Sequence, residues 1–284
     1  MEPFLALAVL ISAALHPVWN ASIKRDARPE GTMLAYLLLI GLIAVGHVWI
    51  AGYDLMAIAD VWPWLGISWA GLTLYSTSLS TMLRRGDLSA YYPIARSSPL
   101  FIVVAGFLFL GESYSAALLA GIALVLAGAF ALQYRRGTRL FDDPKTLMFA
   151  LLAMSGTGIY TIADARIMQV VEPPVLLVWI QFLVVPSYVL VFRITRGTTA
   201  GLFTWVRRPL RYMGFSCVGY VSYILILWAF SEGGDAAAVA SVRQASIPFS
   251  VLIGGIWLKE QNMGMRLAAS LVLGAGIVVI VLAR

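Results

Sequence analysis

The chain has 284 residues, of which 61% are hydrophobic and only 12% charged, and its formal net charge is +6. A soluble domain carries about twice that charged fraction, and a basic excess confined to short loops beside apolar runs excludes a nucleic-acid surface. The single cysteine, Cys217, excludes an internal disulfide and any cysteine-based metal cluster.

Ten apolar runs, each close to the ~20 residues that cross a hydrocarbon core as a helix, fall at approximately 3–23, 32–51, 62–83, 88–110, 114–134, 146–169, 174–192, 210–231, 236–257 and 264–283. They predict an all-α membrane protein with ten transmembrane helices. The first run has neither a basic leader nor a cleavage site and reads as a retained helix. It holds "HPVWN", where Pro17 deprives a carbonyl one turn earlier of its amide partner while His16, Trp19 and Asn20 supply polar and aromatic edges. His16 reads either as a proton carrier or as a histidine hydrogen-bonded at a proline kink. His47, near the end of the second run, reads as interfacial.

The fourth run contains "YYPIARSSPL", with Arg96 between Pro93 and Pro99. A membrane-embedded arginine costs ~3 kcal/mol or more and faces a polar cavity or a partner. Arg96 therefore lines a site with Tyr92 and Ser97 or Ser98 beside it, or else bonds carbonyls freed by the prolines or an acid. In the sixth run, "YTIADARIM" places Asp164 and Arg166 two apart, so they do not face each other. Asp164 reads as a partner of Arg96 or Arg243, or as a proton carrier, and Arg166 as snorkelling to the interface. The ninth run carries Arg243 ahead of Pro248. Trp49, Trp62, Trp64, Trp205 and Tyr212 read as interface anchors. Tyr75, Tyr91, Tyr92, Tyr160, Trp179, Tyr220, Tyr223 and Trp228 lie deeper, as bundle packing or as rings facing a ligand. Glu112 and Glu260, at helix ends, read as structural, and Gly121, Gly128, Gly274 and Gly276 as close-packing positions.

Loop charges alternate. Lys24, Arg25, Arg28, Arg84, Arg85, Arg135, Arg136, Arg139, Lys145, Arg193, Arg196, Arg207, Arg208 and Arg211 follow odd-numbered runs, while Asp54, Asp60, Glu112, Glu172, Glu232 and Asp235 fall in the opposite loops. The positive-inside rule makes the former cytoplasmic and places both termini outside an inner (plasma) membrane. "GDLSAYYPIARSSPLFIVVAGFLFLGE" (Gly86–Glu112) aligns with "GDAAAVASVRQASIPFSVLIGGIWLKE" (Gly234–Glu260) at an offset of 148. Two halves of five helices, 1–136 and 144–284, cannot share one orientation because five is odd. They are expected to be inverted repeats with a substrate site near the midplane between them.

These segments, with "AALHPVWNASIKR" in the first helix, resemble the drug/metabolite transporter superfamily, EamA type, over essentially the whole chain. The helix 1 and helix 4 motifs look closest to a branch associated with phosphonate utilisation. The resemblance implies secondary transport by alternating access, with a central cavity lined by helices 1, 3, 4, 6, 8 and 9. It specifies architecture well and substrate poorly. An intramembrane enzyme lacks support, since there is no HExxH and no nucleophile–base pair; a channel would need repeated filter elements from several subunits. The expected substrate is a small zwitterionic or anionic metabolite such as an amino acid, with a cationic or aromatic solute as the alternative. The expected site is His16, Trp19, Asn20, Tyr75, Tyr92, Arg96, Ser97, Tyr160, Asp164, Tyr223 and Arg243. Expected partners are the lipid bilayer and a coupling proton or counter-substrate. No cofactor, metal or nucleic acid is expected, and the chain reads as a monomer or weak homodimer.

Overall fold

Prolines set where most helices begin, because a residue without an N–H costs nothing in the first turn, where amides lack intrahelical partners. The computed structural model describes residues 1–25, 28–85, 91, 94–133, 143–207, 209–249 and 263–283. Pro3, Pro29, Pro144, Pro173 and Pro209 open α1 (Pro3–Arg25), α2 (Pro29–Ala51), α6 (Pro144–Ile167), α7 (Pro173–Arg196) and α8 (Pro209–Ser231). The remaining helices are α3 (Trp62–Arg85), α4 (Ser98–Phe109), α5 (Ala116–Gln133), α9 (Ala236–Val242) and α10 (Met263–Leu282). Aspartates cap two of the helices: Asp143 accepts from the Thr146 amide before α6, and Asp235 from the Ala238 amide before α9.

Among the described residues there is no strand, and five segments are long and apolar enough to cross a membrane: α2, residues 55–85, α6, α7 and α8. Shorter apolar helices lie in α1, α4, α5 and α10. Trp49, Phe109 and Leu210 are 81–86% exposed, as lipid-facing side chains of a multi-pass membrane protein are. Tyr212 is the exception among the expected anchors, buried with its ring edge-on to Phe215.

Two spans differ from the sequence expectation. The fourth does not run unbroken from 88 to 110: Ile94 and Ala95 are helical, Arg96 turns, and α4 starts only at Ser98. Pro99 cannot donate to the Ala95 carbonyl, so the ladder is interrupted there. The ninth is interrupted after Val242 by a 3-10 turn, Arg243–Ala245, and helix resumes at 246–249. Pro248 leaves the Gln244 carbonyl without its usual donor, and the Ser246 amide takes it over at shorter range. Of the repeat positions, Gly86, Asp87, Ala90, Gly254, Leu258 and Glu260 lie outside the described residues.

The helices pair across long sequence distances: α3 with α6, α5 with α10, α1 with α8, α2 with α7 and α4 with α9. Exchanging each helix with the one five places along maps this set onto itself. Glycines allow the two most extensive pairings. A Cβ on Gly71 would sit 2.6 Å from the Tyr160 amide nitrogen, and one on Gly156 would sit 2.6 Å from that of Tyr75. Gly121 and Gly276 face each other in the same way between α5 and α10, and Gly128 meets Leu273. Gly274, expected to pack likewise, has nothing within 4 Å of its Cβ position.

Candidate functional site

The α3–α6 crossing determines where two rings point. Tyr75 and Tyr160 each lie one turn beyond the glycine through which their helices touch. Their rings meet edge to face at 5.7 Å, and Tyr223 of α8 continues the run, 6.5 Å from Tyr160. Tyr75 and Tyr160 open onto a cavity of about 40 Å³, whose lining also includes His16, Arg96, Ser98, Thr157, Thr161, Arg243 and Gln244. The walls come from α1, α3, the start of α4, α6, α8 and the α9 region. At roughly 10–15 Å³ per water on this measure, the space holds about three or four waters.

Arg96, placed by the α4 break, is anchored on both Nη atoms. One lies 2.8 Å from His16 Nε2, and the other donates to the Ser246 hydroxyl. A guanidinium has no acceptor, so His16 Nε2 must accept and this imidazole is neutral, with its proton on Nδ1. The Arg96 carbonyl, released by the break, accepts from Gln244 Nε2 at 2.8 Å. Gln244 occupies the repeat position of Arg96, and Ser246 that of Ser98, each 148 residues on. The two irregular segments thus touch through equivalent positions.

Arg243, the first residue of the 3-10 turn, is differently situated. Its buried Nε has no hydrogen-bond partner, as Arg96 Nε has none, and no carboxylate lies within ion-pair distance of either arginine among the described residues. The hydroxyls of Tyr160, Tyr75, Tyr223 and Tyr36 act on it electrostatically, and its charge reaches the Asp164 carboxyl behind them. Gly219 makes room for Tyr36, since a Cβ there would fall 2.3 Å from its ring.

Asp164 does not pair with either arginine, contrary to one expectation. Its two carboxylate oxygens accept from Ser68 Oγ and Tyr223 OH, both at 2.6 Å; these bonds satisfy the buried charge in place of a cation. Arg166 does not merely snorkel. It bonds Glu112 Oε1 at 3.0 Å, while Tyr114 OH donates to Oε2 at 2.6 Å. In the loop before α9, burial raises the Asp235 carboxyl above its ordinary range, with the nearby Glu112 charge adding to the effect. His47 bonds Tyr220 OH at 2.8 Å.

Of the expected site residues, His16, Tyr75, Arg96, Tyr160 and Arg243 line one cavity, and Asp164 and Tyr223 form the layer behind it. Ser97 precedes α4 and does not line the cavity, whereas Ser98 does. Trp19 and Asn20 lie on α1 with their side chains outside the described set, and Tyr92 lies outside the described residues. Ser68, Tyr36, Gln244, Ser246, Thr157 and Thr161 are additional members. The offset of 148 from Arg96 and Ser98 marks Gln244 and Ser246; no sequence signal marks the others. Among the described residues no cluster of histidine, cysteine or carboxylates suits a metal ion.

A solved structure titled "Crystal structure of protein" superposes with a TM-score of 0.76 at 19% identity, covering 99% of this chain and 98% of that one. At that identity the likeness shows the fold alone. No curated protein shows significant similarity. The model of the EamA-like transporter family matches residues 1–134, from the N-terminus to the end of α5. Over those residues, a little under half of its length, the chain is similar to the EamA-like transporter family.

Proposed function

We propose that the chain is a secondary active transporter that moves small zwitterionic or anionic metabolites, amino acids among them, by alternating access. The observation that carries this reading is the pair of guanidiniums, Arg96 and Arg243, lining one cavity with no carboxylate in ion-pair reach among the described residues. Two cations inside a bilayer without an ion-paired carboxylate are costly, and a carboxylate, phosphate or phosphonate group offsets that cost. Arginine suits those groups through its planar, bidentate donor fork. The cavity of about 40 Å³ is too small for a metabolite, so loading requires the helices around it to part.

The division into inverted halves, 1–136 and 144–284, draws support from the pairing set that survives a five-place exchange and from a family match ending at residue 134. Counterflow is the natural assay. Reconstituted protein preloaded with an unlabelled amino acid or aminophosphonate should accelerate uptake of the labelled compound, and Arg243→Ala should abolish the acceleration. Leakage without counterflow would overturn the carrier reading. His16 supplies the coupling step: protonating its Nε2 sets two cations against each other and releases Arg96, so a proton and an anchored Arg96 exclude one another. The basic loops support cytoplasmic odd-to-even connections, with the termini outside an inner membrane. One observation favours a cationic or aromatic substrate instead: the Tyr75–Tyr160–Tyr223 run lies against the Asp164 carboxylate, an arrangement that can hold a cation over ring faces.

A further inference from the structure

A group of three arginines lies away from the central cavity. A second cavity of about 400 Å³, within the range of ligand sites, opens between α3, α6 and α7. Its rim holds three guanidiniums and one carboxylate: Arg84 and Arg85 from the last turn of α3, Arg196 from the last turn of α7, and Glu30 from the first turn of α2. Glu30 is 7% exposed, and a single oxygen, Oε1, receives both Arg84 Nε at 3.1 Å and Arg196 Nη2 at 3.4 Å. One carboxylate cannot neutralise two cations, so a positive charge is left over at the rim. Arg85 turns partly aside, to Asp143 at 3.6 Å and Thr146 at 3.1 Å.

Away from the rim the wall becomes apolar, with Leu74, Phe149, Leu152, Val191 and Phe192. From Arg85 to Leu74 the cavity follows α3 for eleven residues, or roughly 16 Å at 1.5 Å per residue, about half of a ~30 Å hydrocarbon core. A cationic mouth at the basic-loop end of the bundle and an apolar wall one leaflet deep match an anionic phospholipid in both chemistry and length. Basic pockets between transmembrane helices bind such headgroups.

We propose that this cavity is a binding site for an anionic phospholipid, with its phosphate held by Arg84 and Arg196 and an acyl chain lying against Leu152 and Phe192. Glu30 holds the two guanidiniums at one place, so that the phosphate meets an assembled fork.

Melting of the purified full-length chain in detergent tests the site. Phosphatidylglycerol should raise the melting temperature more than phosphatidylcholine at equal mole fraction. The double variant Arg84→Gln/Arg196→Gln should lose that preference, with apparent affinity falling about tenfold for each guanidinium removed. Leu152→Trp fills the apolar wall without touching a charge and should abolish the response to either lipid; it decides the matter should the double variant fail to fold. Equal stabilisation by the two lipids overturns the proposal, as does an unchanged preference in both variants. Glycerol 3-phosphate reproducing the shift at matched concentration also overturns it, since the site would then serve a soluble anion.

Discussion

The break before α4 and the turn after α9 are built alike and used differently. Each follows from a proline a few residues downstream, and each places an arginine on the same cavity. Arg96 is held on both Nη atoms by His16 and Ser246 and has its carbonyl bonded by Gln244. Arg243 stands among tyrosine hydroxyls instead, and the buried Nε of each arginine is without a hydrogen-bond partner. The two arginines are not equivalent in the 148-residue offset, where Gln244 matches Arg96 and Arg243 matches Ala95, and their surroundings differ accordingly. The Arg96 guanidinium ties α1, α4 and the α9 region together, while Arg243 is the one that the proposed function gives to an anionic group.

The strongest test of this contrast compares the two arginines directly. Arg243→Ala should weaken binding of an anionic substrate by ten- to a hundredfold, the ~1.5–3 kcal/mol of a charge-assisted contact. Arg243→Lys should recover only part of it, because a point charge cannot reproduce the fork. Arg96→Ala should chiefly lower the melting temperature and weaken binding less; the reverse order in a thermal-shift and counterflow comparison would break the contrast. Gly219→Ala sharpens it from the Arg243 side. A methyl placed 2.3 Å from the Tyr36 ring should cost ~1–3 kcal/mol by overpacking and lower substrate affinity through displaced Tyr36, with Arg96 untouched.

His16→Gln tests the other side. Glutamine keeps an acceptor for Arg96 but cannot take up a proton near neutrality, so pH-driven uptake should vanish while substrate counterflow persists. Unchanged pH dependence would leave His16 as a hydrogen-bond acceptor alone. The smallest effect expected is at Asp143, which sets the background for that profile. Its hydrogen bonds from Thr146 hold this carboxyl below its ordinary range, with Arg85 adding to the effect. A lowered carboxylate pKa stabilises above the unfolded-state value and is lost as pH falls through the folded one. Asp143→Asn should therefore remove a small acid-side loss in melting temperature and leave the neutral range unchanged.

Much of this was legible because charge is conspicuous in an apolar sequence. Arg96, Arg243 and Asp164 could be singled out from the cost of burying them, and Pro99 and Pro248 pointed to irregular backbone nearby. The partners were not legible. Ser68 lies 96 residues from Asp164 on another helix, and a serine in a transmembrane run carries no mark of what it faces. Tyr36 reads as one more apolar ring until Gly219 of α8 is seen to seat it. Gly71 and Gly156 could not be paired from sequence, because only the crossing geometry brings them together. The hold on both Nη atoms of Arg96 likewise comes from Ser246 and His16, residues of two other segments.

The long-range pairing of helices bears on how the chain is made. Each helix of the first half has its main partner in the second: α1 waits for α8, where Ser12 bonds Ser222 across 210 residues, and α5 waits for α10. Synthesis at about 5–20 residues per second leaves α1 inserted for roughly ten seconds or more before its mate exists. During that interval Arg96 has neither Ser246 nor Gln244, and its guanidinium must be tolerated by lipid, water or the insertion machinery. The first five helices are thus membrane-inserted before they are folded, and the last two complete the core of the molecule.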